Sequence, residues 1–227
     1  MSLTDTQRVF ASIHESALND LLRAFFTARP RYLRYGSPAF VPATNVTATQ
    51  MPAIAFPGLP GGIDWAVQFE IPRVDLHDPD DALPPQLSLP PGGFSLRTAV
   101  KLCINCVKRR DDRGQGKDPT GKPNDDDRSL GEVTCTELGV FAIGHLDSWN
   151  DASGNGEIRL RVDAVELVDI TPDSLESVLE CLIRMLLDAA LSQVHLPISA
   201  LRAGAFQLLV TQGPLIDQDH VLARGNV

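Results

Sequence analysis

The sequence contains no long apolar run, few aromatic residues and no excess of positive charge, and these shortages narrow the possible classes of protein. No stretch approaches the roughly 18 consecutive apolar residues that suggest a transmembrane helix, so we expect no transmembrane segment. The 227 residues carry a net charge of -9. Because nucleic-acid-binding proteins present basic surfaces, we expect no nucleic-acid partner. Aromatic residues make up only 6% of the chain, so aliphatic side chains must fill most of the core.

The chain is also poor in cysteine and has no recognisable targeting segment. The opening residues, MSLTDTQRVF, do not resemble a cleaved signal peptide, so we expect a cytoplasmic protein, with export by a non-classical route left open. Four cysteines do not make a disulfide framework in a chain of this size. Cys103 and Cys106 form one CxxC pair, but a zinc site typically needs two pairs, and residues three apart in a strand point to opposite faces. Cys135, in a neighbouring predicted strand, could approach one of them.

Common catalytic and nucleotide-binding motifs are missing as well. The sequence has no HExxH, GxSxG, Walker A or GxGxxG pattern, and its five histidines are scattered. His77 with the acidic residues that follow it, and the stretch Asp217–His220, could bind a cation, although solvated loops explain both. We therefore predict a non-enzymatic protein with no cofactor and no metal. An enzyme with a dispersed active site stays a third hypothesis.

The strongest positive signal is strict alternation of apolar and polar residues, which is typical of strands with one buried face. It is clearest over 63–71 and 94–106. After Pro72 the apolar residues change phase, which indicates a β-bulge or a sheet edge at that point. The alternation and the turn signals together predict strands over 63–76, 94–107, about 130–146, 157–168, 206–210 and 221–227.

Two other segments have apolar residues at helical spacing. The first is predicted to begin at Thr4 or Asp5 and to end before Pro30. The second is predicted over 171–194, where the sequence TPD supplies a cap, a proline in the first turn and an acidic residue. Its polar residues form one narrow line spaced by four, so we expect this helix to be buried over most of its circumference.

The order of these elements predicts an α+β fold. We expect a long, curved antiparallel β-sheet packed against an N-terminal helix and a long apolar second helix. No change in composition divides the chain, so residues 1–227 are interpreted as a single domain. Residues 108–129 contain no large apolar side chain and are predicted to form a flexible polar loop.

The C-terminal quarter carries a resemblance to a known family. The run LECLIRMLLDAALSQVHLPISALRAGAFQLLVTQGPLIDQDHVLARGNV joins an apolar helix, a Leu-Pro exit, a small glycine link and an alternating strand pair. This segment resembles the closing part of the tubular lipid-binding (TULIP) superfamily, and the rest of the chain is similar to that family only in its order of elements. The family wraps a curved antiparallel sheet around a long helix and holds lipid between them. The chain departs from the family in starting directly with a helix and in lacking a secretion signal.

The resemblance implies a set of ligand-lining residues on the apolar faces of the strands and of the second helix. In a protein with a filled interior the same residues are ordinary core. They are Trp65, Val67, Phe69, Val100, Leu102, Leu179, Leu182, Ile183 and Leu186.

Two hypotheses from different classes follow. The first is non-enzymatic binding of a lipid or other apolar small molecule in a cavity between sheet and helices. The second is a structural or accessory subunit of a bacterial secretion or phage-tail-like (contractile injection) assembly. In that hypothesis the alternating strand at 221–227 adds to the sheet edge of an assembly partner or of a second copy in a homo-oligomer.

Overall fold

The structure is a computed structural model that describes most of the chain. The described residues are 9–56, 59–76, 82–106, 133–150, 156–168, 173–197, 202–203, 206–207 and 209–226. The predicted polar loop at 108–129, the helix caps predicted at Thr4, Asp5 and Thr171, and the candidate cation ligand His77 lie outside them.

The fold is α+β, with a curled, half-barrel sheet and two α-helices among the described residues. A single 3-10 turn, Pro30–Leu33, follows the first helix. In chain order the elements are β1 (Val9–His14), α1 (Glu15–Ala28), β2 (Arg34–Gly36), β3 (Thr49–Gln50), β4 (Ile54–Phe56), β5 (Leu59–Phe69), β6 (Arg73–Asp75), β7 (Gly93–Cys106), β8 (Val133–Asn150), β9 (Gly156–Leu167), α2 (Asp173–Leu191), β10 (Leu196–Pro197), β11 (Arg202–Ala203), β12 (Phe206–Gln207), β13 (Leu209–Asp217) and β14 (His220–Asn226).

The main sheet has the spatial strand order β10-β9-β8-β7-β5-β2-β3, with β4 paired to β5 and β6 paired to β7. Its neighbouring strands are antiparallel except for β2 and β3, which confirms the predicted long antiparallel sheet. A second sheet has the order β1-β14-β13, and β11 pairs with β12. The predicted strands at 63–76, 94–107, 130–146 and 157–168 correspond to β5 with β6, to β7, to β8 and to β9.

Both helices contribute to one core with the main sheet. Each buries a row of residues spaced by four, which is the spacing that places side chains on one helix face. The rows are Leu18, Leu22 and Phe26 in α1 and Ile183, Leu187 and Leu191 in α2. They belong to the same core cluster as the inward-facing side chains of β5, β7, β8 and β9. Neither described helix is long and apolar enough to cross a bilayer.

The predicted change of phase at Pro72 is a bulge between β5 and β6. Phe69 lies opposite Val100, and Arg73 lies opposite Arg97. Residues 70–72 therefore face only 98–99 on β7, so one extra residue is inserted on the β5–β6 side. The insertion turns Ile71 outwards, with 40% of its surface exposed, and returns Val74 and Leu76 to the core.

The first helix is shorter than predicted because the segment before it is a strand. β1 pairs antiparallel with β14, with His14 directly opposite His220. α1 begins only at Glu15, where the His14 ring accepts a hydrogen bond from the Ser16 amide. The prediction of a helix over 9–14 is therefore wrong. The segment VFASIH has apolar residues both two and four apart, and pairing with a distant strand decides between the two periods.

The second helix has one buried face rather than burial over most of its circumference. Val178 is 66% exposed and Met185 is 58% exposed. By contrast, the polar line spaced by four partly contacts β9, which within the described part of the chain is an edge strand over most of its length. Asp188 accepts a hydrogen bond from the amide of Val162, and Glu180 accepts one from the amide of Leu167. These carboxylates satisfy backbone donors that β8 cannot reach, which the apolar pattern alone did not indicate.

The C-terminal strands are arranged differently from the prediction. The segment between the predicted strands at 206–210 and 221–227 contains Gly213-Pro214, which is an irregular stretch inside β13 where the register to β14 shifts. β14 lies between β1 and β13 and is hydrogen-bonded to both. The hypothesis that the strand at 221–227 offers an open edge to a partner is therefore wrong, because both of its edges are already paired within the chain.

One disulfide joins the two longest strands. Cys103 and Cys135 are direct partners in the β7–β8 ladder and their sulfur atoms are bonded, so the expectation that Cys135 approaches the CxxC pair is confirmed. A bonded sulfur is not a thiolate ligand, which removes the CxxC pair as half of a zinc site. Structural disulfides are rare in the reducing cytoplasm, and the cytoplasmic location expected from the opening residues stays a prediction.

The two glycines of β8 lead to a matched test of the packing. A Cβ at Gly144 would collide with the Arg161 carbonyl oxygen and lie 2.6 Å from the Phe94 ring, whereas a Cβ at Gly139 would meet no atom within 4 Å. We expect Gly144→Ala to lower the free energy of unfolding by about 1–3 kcal/mol through overpacking. Gly139→Ala should change it by less than about 0.5 kcal/mol. Denaturant unfolding of both variants measures the difference, and equal stabilities would contradict the packing described here.

Candidate binding groove

The structure places the nine predicted ligand-lining residues together in the interior. Eight are buried and Leu182 is partly buried against the same core cluster. None of the nine lines either of the two surface pockets described below. The structure therefore brings them together, and their role as a ligand lining stays a prediction.

A groove of about 390 Å3 lies on the opposite face of the main sheet, beside the bulge between β5 and β6. Its floor includes Ala99 and Gly139, which are direct partners on β7 and β8. The absence of large side chains at this pair leaves space above the sheet. The other lining residues are Glu70, Ile71, Arg73, Asp75, Leu83, Ser95, Leu96, Arg97, Thr98 and Phe141.

A row of directly opposite residues crosses four strands at this groove. Arg73 on β6 faces Arg97 on β7, Arg97 faces Phe141 on β8, and Phe141 faces Glu166 on β9. Directly opposite residues project from the same face of a sheet. With neighbouring strands about 4.8 Å apart, the row spans about 15 Å. We call these four residues the outer row.

The centre of the outer row is a contact between a cation and an aromatic ring. The Arg97 guanidinium carbon lies 5.4 Å from the centroid of the Phe141 ring. This contact holds the arginine side chain against the sheet and leaves one wall of the groove both apolar and cationic. The acidic side chains of Glu70 and Asp75 also line the groove, so its rim carries both signs of charge.

The other end of the outer row is acidic. Glu166 lies beside Glu176 and Glu180 of α2, and one carboxylate oxygen from each lies within 4.8 Å of the others. Burial, followed by the charges of Glu180 and Glu176, raises the pKa of Glu166 above its usual value. Three carboxylates at this spacing can hold a divalent cation or a basic side chain, either of which would relieve their repulsion.

A second pocket lies between the proline-rich loop before β7 and the β13–β14 hairpin. It has a volume of about 370 Å3, and its lining includes Leu76, Pro90 and Ile216. The residues Asp217–His220, which were a candidate cation stretch in the sequence, form the turn of this hairpin, with Gln218 at a φ of 49°.

Part of the groove was predictable from the sequence, through the residues on the outer face of β7 rather than those on its buried face. Positions 97 and 99 alternate with the buried residues of β7, so an arginine and an alanine were placeable on the outer face. The phase change at Pro72 also marked where the neighbouring strand leaves the sheet. The partners across the strands, Gly139 and Phe141, depend on register and were not readable from the chain alone.

Comparison with known proteins gives no family assignment, since no family model and no curated protein matches the chain.

The acidic cluster predicts a pH-dependent stability. Because the pKa of Glu166 is raised in the folded state, its ionisation opposes folding as pH rises above about 4.5. We expect Glu166→Gln to be more stable than the wild type at pH 7 and the two to converge at pH 4. Thermal unfolding across this range measures the effect. Glu137→Gln, on the outer face but outside the cluster, is the control, and an equal gain from it would point to net charge instead.

Proposed function

We propose that the protein is a non-enzymatic interaction protein that binds an extended segment of a partner protein along the outer row. The observation that carries this proposal is the continuous row from the groove to the acidic cluster, Arg73–Arg97–Phe141–Glu166. It combines a concave apolar floor, an aromatic ring and charged ends on one exposed sheet face. The hypothesis of a structural or accessory subunit is retained in this form, with a different contact surface from the terminal strand.

The residue types of the outer row favour recognition of protein over catalysis. Arginine and large aromatic residues are the side chains that contribute most to binding at protein interfaces. A volume of about 390 Å3 accommodates one or two partner side chains above Ala99 and Gly139. The mixed charge on the rim supplies selectivity, because an apolar floor alone would accept many partners.

The charge distribution defines the chemistry of the partner segment. Glu166, Glu176 and Glu180 repel one another, and a lysine or arginine placed beside them would lower that repulsion. The groove takes an apolar side chain above Ala99, two strands away from Glu166. The partner segment therefore carries an apolar residue followed, about 10 Å further along, by a basic one.

Selection from a displayed peptide library tests this proposal. Peptides selected on the wild type should contain an apolar residue and a basic residue at that separation. Gly139→Leu fills the groove and Glu176→Gln weakens the acidic end, and each should lower the affinity of a selected peptide at least tenfold. Binding is measured by fluorescence anisotropy at two salt concentrations, because the basic contact should weaken at high salt.

The matched control for these variants is Glu137→Gln, which removes one charge from the same face outside the outer row. It should bind the selected peptides as the wild type does. Peptides that bind Gly139→Leu and the wild type equally would overturn the proposal.

A second candidate function is binding of an apolar small molecule between sheet and helices. The supporting observation is the curled sheet with the buried row of α2 in its core, the arrangement that the resemblance to the tubular lipid-binding superfamily implies. The partly buried Leu182 lies where such a ligand would contact α2.

Native mass spectrometry and solvent extraction test the second candidate. A bound lipid would add mass that extraction removes, and the extracted protein should rebind a fluorescent fatty acid. Leu182→Trp should reduce rebinding at least tenfold, whereas Met185→Trp, on the exposed face of α2, should not. Protein without added mass that binds no fatty acid after extraction would rule this function out.

A further inference from the structure

Two histidines that are far apart in the sequence lie side by side in the second sheet. His14 is the last residue of β1 and His220 is the first of β14, and the two are direct partners in the ladder. Their ring centroids are 4.9 Å apart and their planes are almost perpendicular, at 85°. Nothing in their sequence spacing suggests this pair, because it depends on the pairing of β1 with β14.

A carboxylate continues the same row. Asp217 ends β13 and is the direct partner of His220 on the other side of β14. Since directly opposite residues project from the same face, two imidazoles and one carboxylate lie in order across three strands. The side chains of His14 and Asp217 are exposed and that of His220 is partly buried, so all three are within reach of a solvent ion.

We propose that His14, His220 and Asp217 form a binding site for a divalent transition metal ion such as Zn2+ or Ni2+. Imidazole nitrogen is a preferred ligand of both ions, and a carboxylate oxygen is a common third ligand of zinc. A tetrahedral ion about 2.0–2.1 Å from each nitrogen holds the two nitrogens about 3.4 Å apart. The ring centroids are 4.9 Å apart, and the three ligand atoms do not all lie within 4.8 Å of one another, so an ion binds when the side chains rotate towards it.

The backbone around the row is held at both ends. The amide of Glu15 donates a 2.8 Å hydrogen bond to the carbonyl oxygen of Asp219, which ties the start of α1 to the hairpin turn. The ladder fixes the separation of the three strands. When an ion binds, only the side chains lose rotational freedom, and this limits the entropic cost of binding.

The site is coupled to the first turn of α1. The Nδ1 atom of His14 lies 3.1 Å from the Ser16 amide nitrogen and 2.9 Å from the Ser16 hydroxyl oxygen. When Nε2 binds a metal, Nδ1 carries the proton and donates it to the Ser16 hydroxyl instead of accepting from the amide. Metal binding at Nε2 therefore replaces the helix-capping hydrogen bond from the Ser16 amide with one from Nδ1 to the Ser16 hydroxyl oxygen, which then acts as the outer hydrogen-bond partner of the ring.

Titration calorimetry of the full chain with Zn2+ tests the site. The wild type should bind one ion at the histidine row. His14→Asn keeps a favoured helix-capping residue while removing the ligand, and we expect it to weaken binding at least tenfold. His220→Asn should do the same, and Ser16→Ala should weaken binding by about tenfold without removing a ligand. The ring protons of both histidines should shift together in NMR spectra as Zn2+ is added.

His195→Asn is the matched control, because His195 is an exposed histidine outside the row. It should bind Zn2+ as the wild type does, and Glu176→Gln identifies any ion held at the acidic cluster. Thermal unfolding shows whether each variant is folded. Wild-type affinity in folded His14→Asn and His220→Asn would overturn the proposal, and this result is independent of peptide binding at the outer row.

Discussion

The register between β7 and β8 is the constraint on which the rest of the structure depends. The ladder runs from Gly93 opposite His145 to Asn105 opposite Val133 without a shift. A slip of one residue would exchange the two faces of the strand, sending the buried side chains of β7 to solvent. The same register places Ala99 against Gly139, Arg97 against Phe141 and Cys103 against Cys135. Core, groove and disulfide are therefore three results of one alignment.

The outer face and the edge of the sheet follow from a second constraint, the need of backbone amides for acceptors. Among the residues that the structure describes, β9 has α2 rather than another strand beside it beyond its short pairing with β10, and carboxylates of the helix accept from its amides. This explains why acidic side chains of α2 lie at its contact with β9. It also contributes to the crowding near Glu166, since Glu180, which accepts from the Leu167 amide, is one of the three clustered carboxylates.

Local patterns predicted the parts of the fold that depend on burial alone. The alternation in 63–71 and 94–106 located β5 and β7, and the phase change at Pro72 located the bulge, because one-sided burial imposes a period of two on any strand. The sequence did not indicate β1, whose period is ambiguous until it pairs with β14. Nor did it indicate the outer row or the pair His14–His220. Those arrangements depend on which residues face one another across strands, and register between distant segments leaves no trace in the spacing of either segment.

The pairing of β1 with β14 has a consequence for the order of events during synthesis. Residues 9–14 leave the ribosome early, but their hydrogen-bonding partners at 220–225 emerge only after the entire main sheet has been made. Until then the amides and carbonyls of β1 have only water or a chaperone to bind. Contacts between such distant segments form slowly, because the chain loses the entropy of closing a long loop before the contacts stabilise it. The second sheet can therefore close only after residues 220–225 have been synthesised, later than every strand of the main sheet.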